Sequence, residues 1–552
     1  MNQLTHFYTD VLVVGGGMAG TRAAIAAAEA GVDVLMVMKT DIGKGGATGP
    51  YWYGGMSLPN GDTDPNDNPQ ELLNDINTHA YGMNDPALSR IFADEIVDRH
   101  ADLERWGFRS NSKTGDHFHQ HKACFASRPR AINMFGFEPT AIQILGKKVY
   151  ETENITVRIG ISIVSLLMGE KECVGALAID KDGNFYALHA KATILCCGGG
   201  AGIFPPRYDP NAVGIGYTAG FKAGADLVNM EFIQMFVENE GKMNLSPYFM
   251  EPKIVNKDGE DCFAKYIPDG MTKREICSER MRHFPFSTSD KGRYADICIY
   301  KEIREGRGEN GFVTMDFSTM DKEHAMQRAE AVDIEHVFGK VLDLFVDQKL
   351  LCRPHAHAFN GGLKINANAE TTVPGLYAAG ETAGGPHGAD RLGGNMISVA
   401  MVFGYRAGIH AAKRAASCDA VPFDAARLNA DLEQYTALTT SSGTISVSDL
   451  ENKIRTLMWD HCLIVRNEAG LTTCIEELRR IKAEDLPQLF VQDGEAIRAA
   501  ALVSMIDTGL LLAHAALARK ESRGGHYRED FPERNDKDFG VPMVLNTDNV
   551  TL

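Results

Sequence analysis

The run Gly15-Gly16-Gly17-Met18-Ala19-Gly20 has the Gly-x-Gly-x-x-Gly spacing that brings backbone amides up to a pyrophosphate. Gly15, Gly17 and Gly20 permit a tight turn and close approach, and the N-terminus of the helix that follows would aim unbonded N–H groups at the phosphates. A second glycine-rich stretch, Gly43-Lys44-Gly45-Gly46-Ala47-Thr48-Gly49, offers the amides of Gly46, Thr48 and Gly49 to a long, extended cofactor. Met38-Lys39-Thr40 stands where a nicotinamide dinucleotide site would carry an acid for the ribose. A flavin held by other contacts, Lys39 among them, is expected instead. His117, His119 and His121 alternate and would share one face of a strand, as metal ligands do. No cysteine or carboxylate cluster accompanies them, so a polar, partly exposed strand or loop is expected, and no metal. The eleven cysteines include no Cys-x-x-Cys pair, which leaves an iron-sulfur cluster or zinc knuckle without ligands.

Around these glycines, Val11-Leu12-Val13-Val14 is the continuous aliphatic run of a buried parallel strand. The alanine-rich Thr21 to Ala30 predicts a helix stopped by Gly31, and Val32 to Met38 a second strand. Strand, glycine turn, helix and strand make a dinucleotide-binding unit. The 552 residues are too many for one core, and 44% hydrophobic with 23% charged residues is ordinary for a soluble enzyme. A net charge of -17 argues against nucleic acid or anionic lipid as partner. Cys196-Cys197 behind an apolar run suits buried thiols of a reducing compartment. Neither a signal peptide nor an apolar run of membrane-spanning length is read, so a cytoplasmic protein without direct membrane insertion is expected.

Two later segments carry a resemblance. Thr193-Ile194-Leu195-Cys196-Cys197-Gly198-Gly199-Gly200-Ala201-Gly202 resembles a second flavin-contacting strand. Val373-Pro374-Gly375-Leu376-Tyr377-Ala378-Ala379-Gly380-Glu381, continued by His387-Gly388-Ala389-Asp390-Arg391-Leu392-Gly393-Gly394-Asn395, resembles the "VPGLYAAGE…HGANRLGGN" signature. That signature belongs to the flavoprotein subunits of the succinate dehydrogenase, fumarate reductase and L-aspartate oxidase family. Glu521 to His526, Arg528 to Pro532 and Leu457 to Asp460 also match family sequence, so the likeness spans nearly the whole chain.

The resemblance implies an α/β fold with a split Rossmann-like FAD-binding domain (1–230 and 354–412), an inserted α+β capping domain (231–353) and a C-terminal helical domain (413–552). It places Gly198, Gly199, Gly380, Glu381, Asn395, Met396 and Ile397 on the FAD. Arg391 aligns with the arginine that grips the substrate carboxylate, for which a planar fork is suited. His357, four residues before Gly361-Gly362, aligns with a second carboxylate-binding residue. Arg293 is the proton donor that the segment before Glu302-Ile303-Arg304-Glu305-Gly306-Arg307-Gly308 suggests, one residue out of family spacing. A surface ion pair, a loop histidine and a solvated arginine are the plain alternatives.

Departures from the pattern matter as much. Where dicarboxylate-binding members carry "MEFxQFHPT", Met230-Glu231-Phe232-Ile233-Gln234 agrees, but Phe236 replaces the histidine and Glu238 the threonine. A hydrophobic face with an added carboxylate would repel a second substrate carboxylate rather than bind it, so a simple C4 dicarboxylate is not the expected substrate. The covalent-attachment histidine is missing from Ala47 to Gly55, so FAD is expected to be non-covalent. The aromatic trio Tyr51-Trp52-Tyr53 would lie near the flavin, and Ile215 stands for a cofactor-contacting aspartate. Hydride exchange between flavin and a carboxylate-activated C=C bond is the function implied, with electrons passing through a separate iron-sulfur or other carrier protein. An amino-acid oxidase resembling L-aspartate oxidase, and an electron-transfer flavoprotein without its own substrate, are the rival readings.

Overall fold

The computed structural model describes residues 4–49, 55–110, 113–115, 117–134, 139–205, 209–239, 251–318, 323 and 349–552. Strand β1 (Thr5–Val14) is exposed in its first half and buried from Val11 to Val14, where the aliphatic run lies. Helix α1 (Met18–Glu29) starts at the glycine turn and leads to β2 (Val34–Met38), all five residues of which are buried. Asn68 caps helix α2 (Pro69–Ala80), its side chain accepting from the Gln70 and Glu71 amides. Strands β3 (Ile155–Ile159), β4 (Ile161–Met168), β5 (Cys173–Asp180) and β6 (Phe185–Leu195) follow.

A second sheet is built from β7 (Ile233–Asn239), β8 (Lys253–Val255), β9 (Val313–Asp316) and β10 (Lys349–Phe359), in the order β7-β10-β9-β8. Helix α3 (Arg293–Arg304) packs on this sheet. Strand β10 runs through the boundary at 353/354 expected between capping and FAD-binding segments. The chain then returns to the first sheet as β11 (Leu376–Ala378), parallel to β6 with Thr193 opposite Leu376.

The first sheet has seven strands in the order β3-β2-β1-β6-β5-β4, with β11 also beside β6. Its β3, β2, β1, β6 and β11 pair in parallel, whereas β5 and β4 add antiparallel. Parallel strands need cover on both faces, which explains the aliphatic runs in β1, β2 and β6. Helix α4 (Asn395–Ser417) lies across α1, and small residues set the distance. A Cβ on Gly404 would stand 2.6 Å from the Ala19 oxygen, and one on Gly408 2.3 Å from the Ala23 oxygen. The alanines of α1 are thus an interface as well as a helix-forming run.

Helices α5 (Val447–Cys462), α6 (Glu468–Arg480) and α7 (Ala496–Ala518) pack together at the C-terminal end. The sequence predicts no apolar run of membrane-spanning length, but α7 reaches it, with 23 residues and a mean hydropathy of 1.7 over an 18-residue window. The fold accounts for the difference: α7 is buried against α5 and α6, and its apolarity serves a protein core. At its middle, buried Asp507 meets Lys222 Nζ and Lys482 Nζ, each at 2.6 Å, an arrangement costly in hydrocarbon. The α/β sheet, the second smaller sheet and the C-terminal helices are the fold class that the sequence implied.

Candidate active site

The glycine turn after β1 is held by contact with the end of β6. A Cβ on Gly15 would lie 2.0 Å from the Cys196 oxygen, and Gly15 has φ +113, so no other residue fits there. Gly17 precedes α1, whose first turn has neither a capping side chain nor an acid. Its N-terminal amides are therefore open to an anion. Residues far apart in sequence converge on this turn. A Cβ on Gly17 would meet Thr48 Oγ1 at 3.3 Å, and one on Gly380 would meet Ala19 Cβ at 2.9 Å. Gly20 packs on the Gly15 carbonyl, and Gly49 on the Gly45 carbonyl. Gly199 adjoins Glu381 Oε1, whereas a Cβ on Gly46 or Gly198 would meet nothing within 4 Å among the described residues.

Lys39, at the end of β2, has its ammonium pulled below the ordinary value by burial, against the charge of Asp209. Burial pushes the Glu381 carboxyl up to about 7, opposed by the Phe359 N–H it accepts at 2.8 Å and by Arg391. Asn395 accepts from Ser57 Oγ at 2.7 Å, and Met396 and Ile397 continue the first turn of α4. These features fit FAD: an uncapped helix start for the pyrophosphate, glycine-walled space beside it, and polar groups at Lys39 and Glu381. Tyr51, Trp52 and Tyr53 lie outside the described residues. Ile215 is buried at the start of a short helix.

The residues that the sequence assigns to a carboxylate clamp come from distant segments. Arg391 is buried, and Gln234 of β7 grips it at two points. Gln234 Nε2 donates to the Arg391 carbonyl at 2.9 Å, and Arg391 Nη2 donates to Gln234 Oε1. Arg391 Nη1 donates to the Leu392 carbonyl at 3.2 Å, while Nε has no hydrogen-bond partner among the described residues. That buried donor is left unpaired, as a guanidinium kept for a carboxylate would be. Burial pulls Arg391 down to about 10, against the opposing charges of Glu381 and Cys124, so it stays cationic at neutral pH.

His357 stands near this cation because of a backbone irregularity. In the β7–β10 ladder Gln234 faces Ala358 and Met235 faces Ala356, so His357 is the extra residue of a β-bulge. Bulges re-aim one side chain and are common beside active sites. Burial and the Arg391 charge push His357 down to about 3, which makes it a neutral hydrogen-bonding group. Phe236 packs edge-on against its ring, with centroids 4.7 Å apart. Glu238, two residues along and so on the same face, is buried opposite Arg353 in the ladder.

Arg293 opens α3. Its Nη1 donates to the Thr288 carbonyl at 2.9 Å, and its Nε has no hydrogen-bond partner among the described residues. Three further groups at the site carry no role in the sequence reading. His387 is buried, makes no hydrogen bond among the described residues, and is pushed down to about 3 by burial and by Arg391. Cys124 accepts from the Phe284 amide at 3.3 Å and adjoins Arg391. Asp390 accepts from Ser287 Oγ. His387 and Asp390 lie inside the signature itself, so position in the motif is the signal that points to them; Gln234 and Cys124 act through contacts that only the folded chain makes. His117 and His119 are exposed, and no metal-ligating group of three forms among the described residues.

Residues 10–397 match the FAD binding domain family, and residues 451–551 match the fumarate reductase flavoprotein C-terminal family. An uncharacterized FAD-dependent oxidoreductase of Methanocaldococcus jannaschii is 32% identical, covering 96% of this chain and 95% of its own. One subunit of the fumarate reductase (CoM/CoB) of Methanothermobacter marburgensis is 31% identical over 95% of this chain and 94% of its own. Among solved structures, the apo Sdh1 complex of Mycobacterium smegmatis superposes with a TM-score of 0.82 at 25% identity, over 98% of this chain and 92% of that one. With its glycine cradle and its signature in place, the chain belongs to the fumarate reductase/succinate dehydrogenase family of FAD-dependent flavoproteins, oxidoreductases that act on CH–CH groups.

Proposed function

We propose that this flavoprotein exchanges hydride with an unsaturated monocarboxylate whose far end is apolar, aromatic or cationic, rather than with a simple C4 dicarboxylate. The observation that carries the reading is the Phe236 ring packed on His357. In this arrangement the position facing the clamp presents hydrocarbon, and leaving a carboxylate unpaired against it would cost several kcal/mol. Arg353 opposite Glu238 supplies that acid with a cationic neighbour, so Phe236 rather than Glu238 sets the preference.

Arg391 binds the substrate carboxylate through its unpaired Nε, and neutral His357 orients the same group. Held by the Gly15 to Gly20 turn, Lys39 and Glu381, FAD in its reduced form would supply the hydride for the β-carbon of the activated double bond. Arg293 holds the proton destined for the α-carbon. Arginine releases a proton only to a strongly basic centre, which the α-carbon becomes as hydride arrives. Oxidation of the saturated acid runs the same steps backward. FAD is held without a covalent bond. Electrons come from a separate iron-sulfur or other carrier protein, in keeping with eleven free cysteines that offer no cluster ligands.

Phe236→His tests the reading, because it restores a donor for a second carboxylate. Turnover with fumarate is expected to rise about tenfold or more, the worth of one hydrogen bond to a charged group. Fumarate turnover unchanged in a folded, flavin-loaded variant would remove Phe236 from specificity. An amino-acid oxidase would instead consume oxygen with an amino acid as sole substrate.

A further inference from the structure

Arg293 and Arg391 belong to different parts of the fold, one at the start of α3 and one in the loop before α4. Proton delivery and carboxylate binding must nevertheless be registered to a fraction of an ångström. A short path joins them. Asp390 is the chain neighbour of Arg391, and its Oδ2 accepts from Ser287 Oγ at 2.5 Å. Thr288 follows Ser287, and its carbonyl accepts from Arg293 Nη1 at 2.9 Å. Two hydrogen bonds and two peptide units therefore connect the guanidinium of Arg293 to the backbone of Arg391.

Each end of the path is itself anchored. The Phe286 amide donates to the Met235 carbonyl at 2.7 Å, and the Thr288 amide to the Gly524 carbonyl at 2.8 Å. On the other side, the Asp390 amide donates to the His79 carbonyl at 3.1 Å, at the end of α2. Asp390 is buried at 2% exposure and Ser287 at 0%, so their contact is shielded from water. Asp390 also stands where the family signature has asparagine. An acid at a buried position is costly, and here its side chain is spent on the bridge.

We propose that Asp390 is a positioning residue which, through Ser287, registers the segment carrying Arg293 against the loop carrying Arg391. The inference rests on the roles proposed for those two arginines. Its test uses the flavin-loaded enzyme with its best enoate, comparing Ser287→Ala, Asp390→Leu and Asp390→Asn.

Ser287→Ala and Asp390→Leu are expected to lower kcat about tenfold or more with KM within about twofold of wild type. Asp390→Asn, which keeps an acceptor oxygen, restores most of kcat. The solvent deuterium isotope effect on kcat rises in the two defective variants, as proton delivery becomes slower than the other steps; a merely structural loss would leave it unchanged. Flavin content checks folding, and if Asp390→Leu does not fold, Ser287→Ala carries the comparison. Wild-type kcat in Ser287→Ala, or an unchanged isotope effect, overturns the proposal. Arg293→Ala separates the two levels: if it loses turnover while Ser287→Ala does not, only the bridge is wrong. If Arg293→Ala also turns over normally, the donor assignment beneath it has failed.

Discussion

At the scale of single residues, Arg391 is specified by its surroundings as much as by its own charge. Gln234 fixes one arm of the fork and the Leu392 carbonyl another, while Nε has no hydrogen-bond partner among the described residues. Lysine would keep the charge but lose the planar edge. Arg391→Lys should therefore reduce turnover about 100-fold or more, with flavin content and thermal midpoint intact; wild-type turnover would remove Arg391 from the clamp. Arg391 and His357 are singled out by the sequence because each sits near paired glycines of a family-like segment, and the fold brings them together. Gln234 is legible only as a matching letter. Its bonds to a residue 157 positions away depend on β7 lying beside the loop before α4. Asp390 lies within the signature, yet its bridge to Ser287 requires the segment before α3 to fold over that loop.

At the scale of elements, β1, α1 and β2 can be read directly, because an aliphatic run, a glycine turn and an alanine-rich stretch all point to one unit. The observed helix starts at Met18, inside the glycine motif, so its open amides fall where the motif needs them. Gly17→Val would push side-chain atoms toward Thr48 Oγ1 and into the space before those amides. That variant should purify without flavin, whereas acid should release FAD from the wild-type protein into the supernatant. Normal flavin content in Gly17→Val, or flavin left on acid-precipitated wild-type chain, would contradict the cradle or its non-covalent occupancy respectively. The bulge at His357 is not legible, because nothing in the alternation of β10 tells where the register shifts. Helix α7 misleads in the other direction, since a helix enclosed by others is apolar on every side, as a membrane span is.

At the scale of the whole molecule, distant segments share one buried ionic junction behind the site. Glu231, just before β7, meets Arg519 at 2.6 Å, and Arg519 meets Glu521, which also pairs with Arg523. Arg466 Nη1 donates to the Glu231 carbonyl at 2.7 Å. The Glu521 to His526 segment, family-like in sequence, thus ties the C-terminal part to the strand that carries Gln234 and Phe236. Breaking such a buried pair costs about 3–5 kcal/mol, so the clamp strand is braced from behind. A strand held in this way, with Phe236 on the face toward His357, should discriminate by the far end of the substrate. The most direct measurement is reoxidation of the reduced flavin in the wild-type enzyme by fumarate and by aryl and alkyl enoates at equal concentrations. Reoxidation by at least one of these enoates is expected to outpace fumarate by about tenfold or more. Fumarate as the fastest oxidant would contradict the account, and would mean that a side chain from another segment holds the second carboxylate.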